Sequence, residues 1–185
     1  IWNLFSTGLT TSSNSIIQGG AMVVKINFAK ESLVISSFAQ AIFEFFVRCG
    51  LLLIIFIIFR FTPSWKTILF PFTLIPLILL TIGLGFIFSL LGALMRDIPN
   101  IITLLTTFLL FLTPVLYPAP AGGFFSKINN YNPLSYLITG ARDIIIYGYL
   151  TQPKQYLLVS IFSVFVFFLF WYVFHLVEPR MAERV

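Results

Sequence analysis

The sequence predicts an all-α polytopic membrane protein, and three observations carry that prediction. Hydrophobic residues make up 59% of the 185 and charged residues 9%, where a soluble domain carries about 25% charged residues. Four apolar stretches reach the roughly 20 residues a helix needs to cross the hydrocarbon. The chain also holds 23 Phe, 7 Tyr and 3 Trp, a supply of rings that suits lipid-facing ridges, interfacial belts or a pathway lined by ring faces.

In chain order, residues 1–18 read as a partial span, with Trp2, Leu4, Phe5 and Leu9 apolar and Ser and Thr crowding the later half. The chain opens at Ile1 with no Met, basic n-region or cleavage site, which predicts an N-terminal truncation. Residues 19–32 form a polar connection containing Lys25 and Lys30. Four complete spans follow at 33–59, 68–95, 98–117 and 157–177. The first two exceed the needed length, so tilt or extension beyond the bilayer is expected. Pro71 and Pro76 in the second span and Pro114 in the third lack a backbone donor and should bend those helices. Gly85, Ser89 and Gly92 put small residues on adjacent turns of the second span, as close helix packing requires.

Connections alternate sides. Lys25, Lys30, Arg96, Arg180 and Arg184 fall on one side, against Arg60, Lys66, Lys127 and Lys154 on the other; the excess marks the first side as cytoplasmic. Residues 119–152 are too polar to cross and too apolar for a plain loop. They read as one or two short helices around Arg142 and Asp143, either re-entrant and gating a pathway or lying as an amphipathic surface hairpin. Non-helical backbone at such depth must be buried in protein or line water.

Several function classes lose their support. The Lys and Arg are scattered, so the net charge of +5 makes no nucleic-acid patch. The single Cys49 excludes an intrachain disulfide and a Cys-based metal site. None of the six carboxylates pairs at a spacing suited to general acid and base work, so no catalytic residue is assigned. His175, near the end of the last span, reads as a headgroup-boundary residue without zinc partners. There is no GxxxxGK[ST] loop, so ATP-driven work would belong to another chain. Glu44 and Arg48 share a face inside the first full span, either as a neutralised pair at a helix or subunit interface or on a polar translocation surface.

Four stretches in fixed order resemble the membrane subunits of ABC-2 type exporters of polysaccharides and polyol phosphates. They are KINFAKES (Lys25 to Ser32), with Ala29 where the family usually has Pro; Arg96-Asp97-Ile98; TPVLYP (Thr113 to Pro118); and NPLSYLITGARDIIIYG (Asn132 to Gly148). The resemblance implies an ABC-2 type transmembrane domain, an N-terminally truncated six-helix unit lying multi-pass in the bacterial cytoplasmic membrane. It implies a permease homodimer joined to a nucleotide-binding ATPase subunit that binds ATP and Mg, with no cofactor on this chain. Lys25, Phe28, Lys30 and Glu31 would couple to that ATPase, with Phe28 as an apolar knob. Pro114, Tyr117, Asn132, Pro133, Arg142 and Gly148 would shape an outward gate, Arg142 pairing with Asp143 or a neighbouring carbonyl or touching anionic cargo. Tyr117, Tyr131, Tyr136, Tyr147 and Tyr149 would suit sugar rings near the outward end. The implied cargo is lipid-linked polysaccharide such as O-antigen, capsule or teichoic acid. Rival readings are an ABC-2 exporter of drugs or small lipids, an integral membrane glycosyl- or lipid-transfer enzyme, which would need an acidic cluster in a loop, and a passive channel.

Overall fold

A chain this apolar has little water to satisfy its backbone N–H and C=O groups, and helices satisfy them internally. A computed structural model describes residues 1–25, 29–60, 65–117 and 124–181, with the backbone alone for 20–25, 124–125 and 179–181. Its elements are α1 (Trp2–Lys25), α2 (Glu31–Ile58), α3 (Phe70–Leu94), α4 (Ile98–Leu112), α5 (Phe124–Tyr131), α6 (Pro133–Ile146) and α7 (Pro153–Met181). A 3-10 turn, Trp65–Leu69, leads into α3. Three segments, Glu31–Ile58, Trp65–Leu94 and Pro153–Glu178, are long and apolar enough to cross a membrane.

Three expectations need correction. The first helix does not stop near residue 18; α1 continues to Lys25 and takes in the start of the connection expected at 19–32. Its hydroxyls explain why. Thr11 donates to the Thr7 carbonyl at 2.9 Å, Ser13 to Thr10 at 2.8 Å and Ser15 to Ser12 at 2.7 Å, so these side chains satisfy themselves on their own helix and can be buried. The span expected at 98–117 ends as a helix at Leu112. Thr113 turns extended at ψ 139°, as a residue preceding proline prefers, so Pro114 ends α4 instead of bending it. At 15 residues and 1.5 Å per residue, α4 reaches about 22 Å, short of the hydrocarbon thickness of about 30 Å. Pro71 lies in the first turn of α3, where its missing N–H has no helical partner to lose; only Pro76 lies inside that helix.

α3 is the central helix. Half of its most apolar window is buried, against 11% for α2 and 17% for α7, whose outer faces carry exposed Phe43, Phe46, Leu158 and Phe165. Near the Lys30 end, Ile16, Val34, Phe86 and Phe174 join α1, α2, α3 and α7. Near the other end, Phe5, Leu80, Ile102, Leu137 and Val166 join α1, α3, α4, α6 and α7.

Missing side chains permit this crowding. A Cβ on Gly83 would lie 2.8 Å from the Phe167 Cα of α7, and one on Gly85 would lie 2.8 Å from the Ser12 Cβ of α1. One on Gly92 would strike the Ser13 carbonyl. Helices in lipid associate largely through such close packing. Gly83→Ala must push backbone against backbone and should destabilise the protein by about 1–3 kcal/mol. Gly50→Ala meets nothing within 4 Å and should gain up to about 1 kcal/mol from helix propensity. Thermal unfolding of the detergent-solubilised variants measures both, and equal behaviour of the two would contradict this packing.

Candidate functional site

Away from the Lys30 end, α5 and α6 form a helical hairpin closed at Asn132. Asn132 caps α6: its side-chain oxygen accepts from the Leu134 N–H at 3.0 Å, and Pro133 occupies the first turn, the arrangement these residue types favour. The other half of the same amide reaches α4, with Nδ2 donating to Thr113 Oγ1 at 2.9 Å. Nearly three turns along α6, Arg142 Nη1 donates to the Pro114 carbonyl at 3.3 Å. Thus α6 is tied twice to the point where α4 stops, and both Thr113 and Pro114 are fully buried. Gly148, at φ 74°, ends the helix; its N–H and that of Tyr147 both point to the Asp143 carbonyl at 3.1 and 2.8 Å.

Of the partners named for Arg142, the carbonyl is the one it has. Asp143 is buried and accepts instead from the Thr151 hydroxyl and N–H, because neighbours in a helix point about 100° apart. Tyr117 donates to the Phe111 carbonyl at 2.9 Å and Tyr136 to Asn130 at 3.0 Å. Tyr131, Tyr147 and Tyr149 are exposed, the last two with ring centroids 6.0 Å apart. Pro114, Asn132, Pro133 and Arg142 are therefore brought together, Tyr117 lies just beyond them on the chain, and Gly148 shapes the far end of α6. Sequence reasoning missed Tyr156, whose hydroxyl donates to the Thr73 carbonyl of α3 at 2.8 Å and whose ring fills the space left by Gly140.

At the opposite end, Lys30 is buried. Its backbone N–H donates to Glu178 Oε1 at 2.7 Å, and its ammonium donates to the Glu178 carbonyl at 3.0 Å. Glu31 lies 3.2 Å from His175 Nδ1. The four residues clip the first turn of α2 to the last turns of α7. Lys25 ends α1 and is described by its backbone alone, and Phe28 lies outside the described residues. The expectation that His175 has no partners suited to a metal is corrected here, since two carboxylates flank it. The spacing of His175 and Glu178, one helical turn apart, was the available signal.

Glu44 and Arg48 make a contact of 3.5 Å on α2, both side chains partly exposed. Arg48 also lines, with Arg142, a groove of about 430 Å³ whose walls include Trp2, Phe45 and Ile145. Two guanidinium groups on different helices thus border one largely apolar space.

The double use of Asn132 is testable. Asn132→Ala removes a helix cap and the bridge to buried Thr113, and should cost about 1–3 kcal/mol. Thr113→Val removes the bridge alone and should cost less; thermal unfolding orders the two, and a larger loss for Thr113→Val would contradict the capping role.

Comparison with known proteins matches residues 1–146 to the model of the ABC-2 type transporter family. The chain is 26% identical over 164 residues to the O-antigen export system permease protein RfbA of Klebsiella pneumoniae, covering 88% of this chain and 62% of that protein. It is 27% identical over 117 residues to the protein of the same name from Myxococcus xanthus, covering 63% of this chain and 45% of that protein. The chain thus spans about half to three-fifths of the length of these curated relatives. With a family match that runs from α1 to the end of α6, this multi-pass membrane chain belongs to the ABC-2 type transporter family.

Proposed function

We propose that this chain is the permease part of an ATP-driven exporter that moves lipid-linked polysaccharide or polyol phosphate, of the O-antigen, capsule or teichoic acid kind, across the bacterial cytoplasmic membrane. The observation that carries the reading is the α5–α6 hairpin, held to the break after α4 by Asn132 and Arg142. Leu134, Leu137 and Ile138 of this hairpin also sit in the core shared by α1, α3, α4 and α7, so a shift of the hairpin is passed on to those helices. The names of the relatives support O-antigen as cargo, and the wider class rests on the sequence resemblance.

In this reading two permease chains pair and two ATPase subunits dock on the Lys30 end, where Lys25, Phe28, Lys30 and Glu31 receive the push of ATP-driven closure. ATP and Mg are held by the ATPase. The pair Glu44–Arg48, charged yet within a span, lies against the second permease or along the polar path, since lipid alone would leave it poorly solvated. Exposed Tyr131, Tyr147 and Tyr149 offer ring faces to the apolar faces of sugars as the chain emerges.

A hydrogen bond from a charged donor contributes about 1.5–3 kcal/mol, which caps the effect at roughly 10- to 150-fold; within that ceiling Arg142→Ala should reduce export while membrane insertion stays intact. Immunoblotting of surface polymer reads this, and unchanged polymer with normal protein level overturns the gate role. Phe28→Asp should abolish co-purification of the ATPase from membranes; full retention refutes Phe28 as the docking knob.

A further inference from the structure

We propose that Glu31, His175 and Glu178 bind a divalent cation of the zinc type at the Lys30 end of the bundle. Each offers one ligand atom, and the three atoms lie within 4.8 Å of one another. His175 and Glu178 are three residues apart on α7, so both face the start of α2, where Glu31 opens the helix. His175 Nδ1 is 3.2 Å from Glu31 Oε1 and 4.0 Å from Glu178 Oε2. Ligands about 2.0–2.2 Å from a tetrahedral zinc stand roughly 3.3–3.6 Å from one another, so the His175–Glu31 pair is already at ligand spacing and the widest pair must close by up to about 1.2–1.5 Å to share an ion.

The surroundings orient one of the ligands. Glu178 Oε1 is already held by the Lys30 N–H at 2.7 Å, which leaves Oε2 turned toward His175; a ligand oriented in this way by a neighbouring donor is typical of metal sites. The Lys30 ammonium is engaged by the Glu178 carbonyl. Among the described residues, no Lys or Arg makes a salt bridge to either carboxylate. Two carboxylates match the charge of a dication, and a mixed nitrogen and oxygen set suits zinc better than magnesium or calcium. His175 is 72% exposed, so an ion has access and water can complete the coordination. A bound ion would add a cross-link between the first turn of α2 and the end of α7, and the site stands independently of the exporter reading.

The test uses the full chain in detergent, stripped with EDTA and titrated calorimetrically with zinc chloride. One Zn²⁺ per chain should bind, and the thermal unfolding temperature should rise with it. His175→Ala and Glu31→Gln leave both Lys30–Glu178 contacts in place. Each should weaken binding at least about tenfold, the loss that even a neighbouring-residue change can produce at a metal site, with helix content by circular dichroism unchanged. Absence of saturable binding to the parent chain overturns the proposal, as does equal binding by the double variant. Because the readout is metal binding and not export, either failure leaves the proposed function where it stood.

Discussion

How closely other backbones can approach α3 decides most of this structure. Lipid tails are as apolar as leucine, so helices in a bilayer gain little from hiding hydrophobic surface and must gain from contact. Gly83 admits the α7 backbone, while Gly85 and Gly92 admit α1. With α7 seated there, Tyr156 can reach the Thr73 carbonyl, and Gly140 of α6 can lie against the Tyr156 ring. The hairpin that carries the proposed gate is therefore positioned in part through α7, beside its direct packing on α3 and its ties to the end of α4.

A second constraint acts where the helical ladder stops. Past Leu112 the chain can no longer satisfy its own carbonyls by helical bonds, yet Thr113 and Pro114 are buried. A buried polar group without a partner is costly. Asn132 answers for the Thr113 hydroxyl and Arg142 for the Pro114 carbonyl. Arg142 thus has a structural duty, and its proposed part in transport follows from it: shifting α6 would release a buried carbonyl, which biases the hairpin toward the seated position.

The all-helical membrane architecture was legible because apolar length is a property of contiguous residues, and α2, α3 and α7 fall close to the spans read from it. The end of α1 was misjudged because serine and threonine look polar in composition but bond their own helix once folded. The early stop of α4 was signalled by Pro114, whose effect was taken as a bend. At the hairpin, Asn132-Pro133 and Gly148 stood out only as implied gate residues, although a cap and a terminator are local roles that residue type signals. The Arg142 partner could not be fixed in advance, because a carbonyl 28 residues away leaves no trace in the identity of its residue.

The Lys30 end was the least legible, for a related reason. Its partners are separated by 148 positions in the chain, and α7 lies beyond the residues matched to the family model. Lys30 bonds Glu178 twice, so the first turn of α2 and the last turns of α7 are constrained to move together. α7 in turn packs against α3 at Gly83, where the Phe167 backbone leaves no room even for a Cβ. If the ATPase pushes at Lys30 and Glu31, as proposed, the push has a route through α7 to α3 and to the helices packed around it. The helix outside the family match would then be part of the moving assembly.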